Sequence, residues 1–133
     1  MDAQKTAIAV NCLEAAYAGS LAFPAIVGKL IEAGFESYSV DYRRHTATYF
    51  LPSGDSLTLE TPACAEAVAP EFDRPGIAAQ IKWAQVNPPD YSYAAFCRNV
   101  KAFGCAGYIV SFLGRRVLYF GRAADIHVEH FPL

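Results

Sequence analysis

Sliding the sequence against itself by 70 residues aligns Phe23-Pro24-Ala25-Ile26-Val27 with Tyr93-Ala94-Ala95-Phe96-Cys97 and Gly34 with Gly104. The same offset sets Tyr38-x-Val40-x-Tyr42 on Tyr108-x-Val110-x-Phe112, and Tyr49-Phe50 on Tyr119-Phe120. Only six of the 28 positions from Phe23 to Phe50 are identical. The order of features is what persuades: in both halves an apolar helical stripe ends at a glycine, and the hydrophobic period then changes from 3.6 to 2. Each half alone is small for a stable core. A chain of 133 residues built this way is therefore expected to form one domain whose two units bury apolar surface against each other.

Phe23, Ile26, Val27, Leu30 and Ile31 follow the spacing of a core-facing helix, and Tyr93, Phe96, Cys97 and Val100 repeat it. Beyond each glycine, Tyr38 to Tyr42, Thr46 to Leu51 and a third run from Leu57 read as strands. Tyr108 to Leu113, Arg116 to Gly121 and Ile126 to His130 are their counterparts. A one-residue slip is needed to place Leu57 and Leu59 on Ile126 and Val128. Further helices are expected over Gln4 to Ala18 and Ile77 to Val86, the latter stopped by Asn87-Pro88-Pro89. The units span 1–62 and 76–133, joined by a surface connector over 63–75 that carries Glu66, Glu71 and Asp73. The fold class is α+β, with two helix-helix-strand-strand-strand units, a mostly antiparallel sheet and helices on one side. Whether the strands make one sheet or two is open.

Met1-Asp2-Ala3-Gln4-Lys5 lacks the basic start of a signal peptide, and the longest uncharged stretch, Ala15 to Gly28, is shorter than the roughly 20 apolar residues of a membrane span. A cytoplasmic protein with no membrane partner is expected. Cys12, Cys64, Cys97 and Cys105 form no C-x-x-C and suit free, mostly buried thiols. The net charge of −2 conceals a division: residues 91–124 hold Arg98, Lys101, Arg115, Arg116 and Arg122 with no acid. Without a stronger basic bias or a reading motif this argues against nucleic acid and leaves a local anion site in view.

Three groups of residues could do chemistry. Arg43-Arg44-His45 and Arg115-Arg116 occupy turns in corresponding places, and guanidinium forks suit carboxylate or phosphate. With Tyr42 and Tyr119 beside them they are candidate residues for a small anionic ligand, the two turns either lining one groove or marking opposite ends of the molecule. The strand tyrosines and phenylalanines outnumber what one small core face needs, so some should face a pocket or a protein partner. The closing run holds His127, Glu129 and His130. His127 and Glu129 share one strand face and His130 the other, so a metal would need a further ligand such as His45 or Asp41. The simpler expectation makes His127 and Glu129 a solvated face, with Ile126 and Val128 turned to the core. No nucleophile elbow or phosphate loop accompanies them.

The second half, Y-S-Y-A-A-F-C-R-N-V-K-A-F-G-C, A-G-Y-I-V, G-R-R-V-L-Y-F-G-R and the closing H-V-E-H-F-P, resembles a family of small bacterial domains of unknown function, sometimes called phage-envelope-like. The first half's S-Y-S-V-D-Y-R-R-H-T-A-T-Y-F is similar to the same family. The resemblance carries no catalytic or binding residue over onto these positions, and no cofactor is expected. The leading expectation is a non-enzymatic module that binds a small anionic ligand or a protein partner, as a homodimer. A small metal-dependent or acid–base enzyme using His127, Glu129 and His130, and a phage-related structural component, are the alternatives.

Overall fold

The computed structural model describes residues 1–132. Helix α1 (Ala3–Ala18) and α2 (Phe23–Glu32) precede β1 (Ser37–Asp41), β2 (Thr46–Phe50) and β3 (Ser56–Glu60). The order recurs with α3 (Arg74–Val86), α4 (Tyr93–Ala102), β4 (Cys105–Ser111), β5 (Arg116–Gly121) and β6 (Ile126–His130). All six strands form a single antiparallel sheet in the order β3-β2-β1-β4-β5-β6, which settles the question of one sheet or two. The α+β class is as expected.

Local chemistry accounts for the element ends. Asp2, Asp73 and Ser92 cap α1, α3 and α4, each side chain accepting from a backbone N–H three residues on. Arg74 and Pro75, expected in the connector, instead form the first turn of α3, where proline's missing N–H costs nothing. Asn87 ends that helix in the left-handed conformation. Strand β4 begins at Cys105, earlier than the alternation at Tyr108 suggests, because both sides of its first residues are covered and no polar alternation is required.

Two residue rows line the helix-covered face of the sheet. One runs Leu57, Tyr49, Tyr38, Val110, Val117, Glu129, and the other Leu59, Ala47, Val40, Tyr108, Tyr119, His127. Positions 70 apart exchange places about the β1–β4 junction, so Leu57 and Leu59 correspond to His127 and Glu129. The one-residue slip inferred from sequence is unnecessary; it came from matching hydrophobicity where the two halves differ in chemistry. Across the central strands Tyr38, Val40, Ala47, Tyr49, Tyr108, Val110, Val117 and Tyr119 are buried together with Leu30, Ile77, Val100 and Cys105. Of the strand aromatics, some of them expected to face a pocket or partner, Tyr38, Tyr42, Tyr49, Tyr108 and Tyr119 are all core. Among the described residues no helix is long and apolar enough to cross a membrane.

Candidate functional site

The two basic turns do not converge. Strands β1 and β4 pair antiparallel, Asp41 with Gly107 and Ser37 with Ser111, so the 42–45 and 112–115 turns leave opposite ends of the sheet. A five-residue strand alone separates them by about 17 Å. His45 and Arg115 hold equivalent left-handed positions, φ 55° and 51°. At the first turn Asp41 Oδ1 accepts from the N–H groups of Arg43 and Arg44 at 2.9 and 3.1 Å. At the second, Arg116 donates to the Gly114 carbonyl and Arg115 to that of Pro132. Tyr42 opens the first turn but sends its side chain beneath the helices, where its hydroxyl meets Cys97, and Tyr119 on β5 is buried on the same face of the sheet. The seven candidate residues therefore divide into Tyr42 to His45 at one end of the sheet, Arg115 and Arg116 at the other, and the buried Tyr119 between them.

The closing strand also differs from expectation. His127 and Glu129 point to the helix side, next to Tyr119 and Val117, while Ile126 lies on the opposite face and is 47% exposed. The reversal follows from register: Tyr119 pairs with His127 and is itself inward-facing. His127 Nε2 and Glu129 Oε2 are 2.8 Å apart and both side chains are half-buried. His130 does point the other way. His45 and Asp41 sit across the sheet, and among the described residues no three His, Cys, Asp or Glu side chains converge as a metal site would need.

Because Leu57 and Leu59 do the same packing job in the first half, the His127–Glu129 pair is not required by the fold. Replacing both with leucine should leave stability unchanged or raise it by up to about 2 kcal/mol, whereas Glu129→Leu alone should cost about 1 kcal/mol by leaving His127 without its partner. Urea denaturation of the three proteins checks this. A large loss in the double variant would mean the pair holds something the leucines cannot.

Residues do converge at a third place. The C-terminal part of α1, residues 62–66 and α4 border an open pocket of about 310 Å³ lined by Tyr17, Pro62, Ala63, Cys64, Ala65, Glu66, Ala94, Cys97 and Arg98. Ala94, Cys97 and Arg98 share one face of α4 by i, i+3, i+4 spacing. Behind Cys97 lies a polar layer inside the core: the Tyr42 hydroxyl donates to Cys97 Sγ at 3.6 Å, and the Tyr93 and Tyr108 hydroxyls bond to each other. Tyr17 stacks edge-on against Tyr93, centroids 4.9 Å apart. Burial pushes the Cys97 thiol up, against an opposing pull from the hydroxyls of Tyr42, Tyr93 and Tyr17. A protonated, buried thiol is a poor nucleophile, so this floor can hold a ligand but is unsuited to attack one. Arg98 is exposed and makes no ion pair among the described residues, although Glu66 stands on the same pocket. A larger groove between α1 and α2, about 720 Å³, is lined by Lys5, Lys29 and Glu32 but has only the Cys12 thiol reaching it from the core.

Arg98 stands out in the sequence only as part of a basic stretch, and the pocket is not visible there because Tyr17, Cys64 and Arg98 are far apart in the chain. The one available signal was Cys97-Arg98 on a helix whose counterpart residues are Val27-Gly28. No protein-family model matches the chain, and no curated protein matches it in sequence.

Proposed function

We propose that the protein is a binding module for a small carboxylate, held in the pocket between α1, the connector and α4. The supporting observation is that Arg98, the one cation lining the pocket among the described residues, stands at a cavity otherwise lined largely by Tyr17, alanines, Pro62 and thiols. A guanidinium fork takes a carboxylate in bidentate fashion, and the apolar wall takes the ligand's body. Glu66 disfavours a dianion and offers a partner to an ammonium group, so an aromatic carboxylate or amino acid suits the site better than phosphate.

Calorimetric titration with benzoate, L-phenylalanine and inorganic phosphate tests this reading. The two carboxylates should bind, and Arg98→Ala should weaken them at least tenfold, about 1.4 kcal/mol. Arg43→Ala with Arg44→Ala should leave affinity unchanged. Phosphate bound more tightly than both carboxylates, or loss of binding only in the turn variant, would return the site to the arginine turns.

A further inference from the structure

The sheet's other face distinguishes the two halves of the chain. Its middle row runs Thr58, Thr48, Ser39, Ile109, Leu118, Val128 in register across all six strands. The first three positions carry hydroxyls, with Thr48 and Thr58 hydrogen-bonded at 3.0 Å, and the equivalent three carry branched aliphatics. The first half serves as an internal control: the same pleat and pairing hold with hydroxyls there, so the fold does not demand apolar residues in the second. Ile109 and Ile126 are 43% and 47% exposed, and Phe120 lies half-buried beside them, its ring packed over Gly107.

Charge on this face is divided by corner. Glu60 and Asp41 occupy the row at one end of the strands, on β3 and β1, and Arg116 and His130 the row at the opposite end, on β5 and β6. A twofold interface must be complementary to itself, and acidic and basic groups at diagonally opposed corners meet that condition.

We propose that this face closes on a second copy of the chain, forming a twofold homodimer. An axis lying between the two sheets along the other diagonal sets each acidic corner on the partner's basic corner and brings Phe120 onto its own counterpart. The strands then cross steeply, as in orthogonal sheet packing. Five rows paired across six strands present about 480 Å² per copy. The total near 1,000 Å² is at the lower limit for specific association, so the dimer is weak and exchanging.

Sedimentation velocity of the full chain from about 5 to about 500 µM should show a salt-sensitive monomer–dimer equilibrium. Ile109→Ser with Leu118→Thr and Val128→Thr copies the first half's row, so it should fold and weaken dimerisation at least tenfold. Should that variant not fold, Ile109→Lys at an already exposed site makes the same test. Glu60→Arg and Arg116→Glu should each weaken the dimer, and the two together should restore it. A monomer throughout, an association indifferent to these changes, or open-ended assembly would overturn the proposal.

Discussion

Raising the pH past 10 should unfold the protein cooperatively, between about pH 10.5 and 12. Tyr38, Tyr42, Tyr49, Tyr108 and Tyr119 are each at most 7% exposed, and burial is the leading cause that pushes every one of these phenols above its ordinary value. The unfolded chain ionises its tyrosines near pH 10, whereas the folded chain keeps them protonated. Unfolding then releases protons, so this contribution to stability is complete below pH 10 and falls as pH rises beyond it. Each phenol removes about 1.4 kcal/mol per pH unit, and five remove about 7 kcal/mol, against a total of roughly 5–15 kcal/mol for an ordinary domain. Cys105, raised to about 12 mainly by burial, adds in the same direction. Tyrosinate absorbance and circular dichroism should change together in one step. Phenols titrating near pH 10 while the dichroism stays native would show that the tyrosine layer is open to water.

The second large effect is expected at a glycine. Gly34 and Gly104 occupy the same place after a helix in the two halves, with φ of 99° and 92°. A Cβ on Gly34 would meet only Lys5 Cε, at 3.7 Å, so Gly34→Ala carries backbone strain alone, about 1–2 kcal/mol. A Cβ on Gly104 would lie 2.0 Å from the Glu71 carbonyl oxygen. Backbone cannot swing aside there, because the connector is tied to the end of α4 by Asp73 N–H to Phe103 O at 2.7 Å and Ala69 N–H to Lys101 O at 3.0 Å. Gly104→Ala should therefore cost at least about 4 kcal/mol. Urea midpoints compare the two directly, and equal losses would mean the connector is not packed where it lies over Gly104.

These two glycines illustrate what could be read from the chain. A helix stripe ending at Gly34 or Gly104 and a change of period are local signals, and they yield the elements and the α+β class. What could not be read is what crosses an element from elsewhere: nothing near Gly104 in sequence announces that Glu71 lies against it. The inversion at β6 has the same origin. Ile126 and Val128 are the more apolar pair and so suggest a core face, yet register with Tyr119 puts His127 and Glu129 inside. Tertiary pairing outweighs local hydrophobicity at an edge strand, where either face can be half-covered. The arginine turns were legible as turns, but their placement at opposite ends depends on β1 and β4 being antiparallel neighbours, which neither turn encodes. The pocket needs three distant segments at once.

Whether a carboxylate occupies that pocket is tested most directly by mapping amide chemical shifts in a nuclear magnetic resonance titration of the intact protein with benzoate. Saturable shifts concentrated at Tyr17, Ala63, Cys64, Ala94 and Arg98 are expected, together with their loss in Arg98→Ala. Shifts confined to residues 43–45 or 115–116, or to the α1–α2 groove around Lys5 and Lys29, would contradict occupancy of that pocket.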